Sequence, residues 1–114
     1  MSKINFLIAL LVSAATAFAD EPAPGQQVEM SLPNPEGKPM PYLLSLPKDY
    51  GKGSTNWPVM LFLHGRGESY GPLSIVKKWG PPRRIELGED LPYILVSPQC
   101  PGEDSWARPT QQAL

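Results

Sequence analysis

The stretch Val59-Met60-Leu61-Phe62-Leu63-His64-Gly65-Arg66-Gly67-Glu68 decides the reading of this chain. Its first five residues are apolar on both faces of an extended strand. Such a strand is usually covered on both sides, as in a parallel sheet. The strand then runs straight into a histidine and two glycines, which make a tight backbone turn. Glycine lets the main chain approach a ligand closely, and N–H groups in such a turn can point at a developing oxyanion.

Working outward, a second apolar block, Tyr93-Ile94-Leu95-Val96, follows after 29 residues. That gap is long enough for a helical crossover between parallel strands. Within it, Pro72 suits the first turn of a helix. Leu73, Ile75, Val76 and Trp79 have helical spacing, and Gly80-Pro81-Pro82 is expected to stop the helix. A shorter turn is expected over 83–87, ended by Gly88. On the N-terminal side, Val28, Met30 and Leu32 alternate with Glu29 and Ser31, the period of a half-exposed strand. Tyr42, Leu44 and Leu46 alternate again beyond the turn cluster Pro33-Asn34-Pro35-Glu36-Gly37. The two segments predict an antiparallel hairpin. After Ser97 comes a loop over 98–104, and Thr110-Gln111-Gln112-Ala113-Leu114 has the pattern of an opening helix.

The fold class is therefore α/β, with an antiparallel hairpin followed by parallel strands and a crossover helix. Two parallel strands and a hairpin leave apolar faces uncovered, so residues 26–114 are expected to be the N-terminal part of a larger domain. Residues 20–25 read as a flexible leader. Before them, Lys3 gives a positive n-region and Phe6 to Phe18 an apolar h-region. Ala17-Phe18-Ala19 places small residues where a signal peptidase reads. Residues 1–19 thus read as a signal peptide. The apolar run has 13 residues, short of the ~20 that cross a bilayer. The expected location is secreted or periplasmic, with no membrane anchor after cleavage.

Composition removes several functions. Ten basic against 11 acidic residues give a net charge of −1, which is no footprint for nucleic acid. One cysteine and one histidine exclude a disulfide framework and a multi-cysteine zinc site, so no metal or cofactor is expected. The 15 prolines sit as punctuation around strands. Lys77, Lys78, Arg83 and Arg84 read as a solvated face.

Three segments in order carry a family resemblance: 42–50 (Tyr-Leu-Leu-Ser-Leu-Pro-Lys-Asp-Tyr), 58–68 with its His-Gly-Arg-Gly-Glu loop, and Ser97-Pro98-Gln99-Cys100-Pro101. Together they resemble secreted α/β-hydrolase esterases, the phospholipase/carboxylesterase-like group related to dienelactone hydrolases and prolyl-oligopeptidase-like hydrolases. The resemblance implies an α/β-hydrolase-type sheet and a small-molecule ester substrate. It also implies an oxyanion-hole loop at His64, Gly65, Arg66 and Gly67, with the Arg66 backbone N–H as donor. His64 would then shape the loop, because the triad histidine comes last in the family's chain order. Glu68, Gln99, Cys100 and Trp106 are candidate pocket-lining residues. The family's Gly-x-Ser-x-Gly elbow has no match here, so the triad is expected beyond Leu114 and no catalytic residue is present. The competing readings are a glycine turn with no chemistry, a non-catalytic secreted binding or structural module, and an inactive gene fragment.

Overall fold

The alternation on either side of the proline-rich turn produces the first two strands. In the computed structural model, which describes residues 22–107, β1 (Gln27–Leu32) and β2 (Met40–Ser45) form an antiparallel hairpin. Asn34 organises its turn. Its Oδ1 accepts from the Glu36 N–H at 3.1 Å, and its carbonyl accepts from the Gly37 N–H at 3.3 Å. β3 (Val59–Leu61) and β4 (Ile94–Pro98) pair in parallel, as the two apolar blocks predict. β4 also pairs antiparallel with β2, which closes a mixed four-stranded sheet in the order β1-β2-β4-β3.

The crossover departs from the sequence reading. Leu73–Lys78 forms a 3-10 turn, and the α-helix α1 (Gly80–Glu86) starts at Gly80 with prolines in its first positions. The turn over Leu73–Lys78 does end just before Gly80-Pro81-Pro82, as a 3-10 turn. The same three residues also begin a helix, which the sequence reading did not expect. The reason is that the first helical residues need no N–H partner and want the φ that proline fixes. Gly80 supplies the reversal before them, at φ +64. Gly88, at φ +93, ends the element, with its N–H on the Ile85 carbonyl.

Strand registers sort the side chains onto two faces. One face presents Leu43, Leu95 and the small Ser45 and Ser97. It is covered by the crossover, where Leu73 and Val76 pack on Leu43 with Phe62 alongside. The opposite face presents Val28, Met30 and Leu32 from β1 and Met40, Tyr42 and Leu44 from β2. It continues with Ile94, Val96 and Pro98 from β4 and Val59 and Leu61 from β3. No helix among the described residues lies over it.

β3 has the apolar faces of a strand that is usually covered on both sides, yet among the described residues it is left open, as two parallel strands and a hairpin alone would leave it. Val59, Met60 and Leu61 are 66%, 41% and 49% exposed. β3 is the sheet edge, and its one neighbour among the described residues is β4. The apolar run has the composition of a central strand and the position of a rim.

The signal-peptide and helix-opening expectations, over 1–19 and 110–114, fall outside the described residues, as do the leader's first two residues. No helix among the described residues is long and apolar enough to cross a membrane.

Candidate active-site loop

The parallel pair fixes where a site can form. In open α/β sheets ligands bind beyond the carboxyl ends of the strands, and here those ends release two loops side by side. One follows β3 and holds His64 to Gly71; the other follows β4 and holds Gln99 to Trp106. A cavity of about 90 Å³ lies between them, lined by His64, Gly65, Arg66, Ser69, Cys100, Asp104, Ser105 and Trp106.

His64 is 5% exposed and fully engaged. The Cys100 main-chain N–H donates to its Nε2 at 2.9 Å. A ring nitrogen that accepts carries no proton, so the proton sits on Nδ1. Nδ1 in turn donates to the Gly65 carbonyl. Trp106 closes the arrangement. Its indole N–H donates to the His64 carbonyl at 3.0 Å, and its ring meets the imidazole edge-on at 5.0 Å and 63°. A general base for a serine must offer Nε2 to the hydroxyl. In this arrangement Nε2 is already occupied, so His64 shapes the loop.

Gly65 stands at φ −76, ψ 173, extended backbone that leads into a short 3-10 turn, Arg66–Ser69. The Glu68 N–H returns to the Gly65 carbonyl at 3.3 Å. Among the described residues no acceptor meets the Arg66 or Gly67 main-chain N–H. Both groups belong to the loop that borders the cavity. Unengaged N–H groups on a braced loop are the donors an oxyanion needs, since they pay no reorganisation when charge develops.

The other candidate residues divide. Cys100 is buried on the cavity wall, and Trp106 lines it as well. Gln99 is also buried, but its side chain points elsewhere. Its amide donates to the Glu68, Gly71 and Pro72 carbonyls at 2.9, 3.2 and 3.4 Å. Glu68 is buried too, with one carboxylate oxygen against Gly65; a Cβ there would sit 3.3 Å from it. Neither Gln99 nor Glu68 lines the cavity beside His64, so the structure gives these two a bracing position where the sequence suggested pocket walls. Sequence reading did not single out Ser69, Asp104, Ser105 and Tyr70. The Tyr70 hydroxyl donates to the Gly102 carbonyl at 3.1 Å, a fourth tie between the two loops. No cluster of metal-ligating side chains occurs among the described residues.

No family model and no curated protein matches the sequence. Among solved structures, a thermostable esterase is similar, with 29% identity and a TM-score of 0.49. The match covers 70% of this chain and 22% of that one. The chain thus spans about a fifth of that esterase's length.

Proposed function

We propose that this chain is the N-terminal part of an exported serine hydrolase acting on carboxylic esters, and that it carries the oxyanion-hole loop without the nucleophile. The observation that supports this reading is the loop after β3, whose Arg66 and Gly67 N–H groups meet no acceptor among the described residues and whose Arg66 lines a cavity at the carboxyl end of a parallel strand pair. The sequence around that loop adds the esterase-like segments 42–50, 58–68 and 97–101. In the intact enzyme a serine attacks the acyl carbon while a histidine takes its proton. The Arg66 N–H and the N–H after the serine hold the oxyanion until the alcohol leaves; water then releases the acid. Export rests on Lys3, the apolar run 6–18 and Ala17-Phe18-Ala19. Ester substrates enter as small molecules, with no cofactor.

The test removes one N–H and nothing else. Arg66 is the first residue of its 3-10 turn, and Gly65 has the extended φ and ψ that precede proline without clash. Arg66→Pro therefore keeps the backbone path. In the product of a reading frame that supplies Gly-x-Ser-x-Gly downstream, Arg66→Pro lowers kcat by roughly 10²–10³, while Arg66→Ala, which keeps the N–H, stays within about threefold of wild type. Equal losses in both variants refute the role of the N–H. Turnover of p-nitrophenyl esters by the 114-residue chain alone refutes the missing nucleophile.

A further inference from the structure

His64 and Glu68 are buried titratable groups on one loop, and the hydrolase reading gives neither a chemical step. His64 ties the loop to the segment after β4 only as a neutral imidazole. Its Nε2 accepts the Cys100 N–H at 2.9 Å, and its Nδ1 carries the one proton. An imidazolium has two N–H donors and no acceptor, so a second proton and the Cys100 bond exclude each other. Further along the loop, Glu68 is 9% exposed, and among the described residues no salt bridge or hydrogen bond engages its carboxylate. One carboxylate oxygen lies against Gly65, the neighbour of His64, 3.3 Å from where a Cβ would stand. A buried carboxylate without a donor favours any charged donor that comes within reach. We infer that this loop is a proton-operated latch: neutral His64 fastens it to the Cys100 main chain, and protonated His64 releases that bond and pairs with Glu68. The inference goes beyond the esterase reading and does not need it, because it concerns the order of the loop and not turnover.

The surroundings of the imidazole accommodate the charged form. Besides Glu68, the cavity it lines also holds Arg66 from its own loop and Cys100 and Asp104 from the loop after β4. Two carboxylates against one guanidinium leave a net negative charge around the ring. The other titratable groups nearby are engaged elsewhere. The Tyr70 hydroxyl is on the Gly102 carbonyl, and Glu103 lines a different cavity, beside the hairpin turn. From the crossover, Lys77 is held by Glu86 and Lys78 lies over Trp79. The Trp106 indole bonds the His64 carbonyl and not the ring, so acid undoes the Cys100 tie and leaves the sheet intact.

Amide hydrogen exchange and ring-nitrogen NMR of the full chain test this between about pH 8 and about pH 5, the range in which histidine changes charge. His64 is the only histidine, so its ring signals are read without overlap. Opening takes up one proton. The protection of the Cys100 amide, corrected for the intrinsic pH dependence of exchange, therefore falls by about tenfold per pH unit on the acid limb, as the ring gains its second proton. The Phe62 and Ile94 amides, bonded to the Val96 and Pro58 carbonyls at 2.9 Å, keep their protection. His64→Gln offers an amide oxygen to the Cys100 N–H and takes up no proton, so it removes the pH dependence. Glu68→Gln leaves the Cys100 bond in place and moves the transition to lower pH. Constant protection at Cys100 overturns the inference. So does a parallel loss at Phe62 and Ile94, which is acid unfolding of the sheet. A pH dependence that persists in His64→Gln, or a transition that Glu68→Gln does not move, overturns it as well.

Discussion

Replacing His64 by alanine tests whether the imidazole is what holds the loop after β3. The substitution removes three things at once. The buried Cys100 N–H loses its acceptor at 2.9 Å, and leaving such a donor unpaired costs about 1–3 kcal/mol. The edge contact with Trp106 contributes about 0.5–1.5 kcal/mol. The bond to the Gly65 carbonyl contributes about 0.5–1.5 kcal/mol. The terms share one side chain and are not additive, so the expected loss is about 3 kcal/mol. Against the 5–15 kcal/mol typical of a small domain, that is a large fraction. With a urea slope of about 1–2 kcal/mol/M, the unfolding midpoint falls by about 1.5–3 M. His64→Phe separates the contributions. It keeps a ring against Trp106 but offers neither the acceptor to Cys100 nor the donor to Gly65, so most of the loss, about 1.5–3 kcal/mol, remains, and the Cys100 amide shows the largest increase in hydrogen exchange. If His64→Ala costs less than about 0.5 kcal/mol, the level of an ordinary surface change, the imidazole does not hold the loop.

Two further outcomes follow from the crossover. Gly80→Ala places a Cβ 2.8 Å from Phe62 Cζ at φ +64. The left-handed conformation costs about 1–2 kcal/mol and displacing Phe62 about 1–3 kcal/mol more; thermal unfolding reads the sum, and Phe62→Leu in the same chain relieves only the second part. A wild-type melting curve for Gly80→Ala would show that the turn does not need glycine. Lys77 Nζ meets Glu86 Oε1 at 2.6 Å, and the Gln27 amide donates to the same oxygen. The lysine, chiefly through its hydrogen bond, holds the Glu86 carboxyl below its ordinary value of 4.5, against a smaller opposing effect of burial. A depressed carboxylate stabilises the fold above its unfolded value, and the contribution disappears as pH falls below about 4.5 and through the folded value. Both partners are partly exposed, so the contribution is about 0.5 kcal/mol. Glu86→Gln therefore lowers stability at pH 7 by that amount and leaves it unchanged near pH 2. Equal losses at both values would show that the charge is not what matters.

Much of this was legible in the sequence because two periodicities carried it. Alternation at 28–32 and 42–46 gave the hairpin, and unbroken apolar runs gave the parallel pair. The crossover was read incompletely at Gly80-Pro81-Pro82, since the same three residues suit both a helix end and a helix start, and here they follow one helical turn and open the next. The role of Gln99 was not legible for a different reason. Its three carbonyl acceptors come from residues 68, 71 and 72, and they converge only once a turn and Gly71 at φ +101 have bent the chain back. Because the triad histidine comes last in the family's chain order, the family resemblance implies a loop-shaping role for His64. That its acceptor nitrogen is filled by the Cys100 main chain depends on the β3–β4 pairing, which no local pattern encodes.

The placement of these ties explains how a site-forming loop can be ordered at the rim of a sheet. β3 is short, exposed and, among the described residues, paired on one side, so the strand alone gives its loop weak support. The loop after it is held from the β4 side. Cys100 engages the imidazole, Trp106 the His64 carbonyl, Gln99 three carbonyls, and Gly102 accepts from Tyr70. Gly102 has no room for a side chain, because a Cβ would lie 2.5 Å from the Tyr70 ring. The donors at Arg66 and Gly67 are thus braced by the segment after β4. For an oxyanion hole that matters, because its contribution comes from donors that are already fixed when charge appears. The loop's geometry therefore depends on residues 99–106 as much as on the glycines within it.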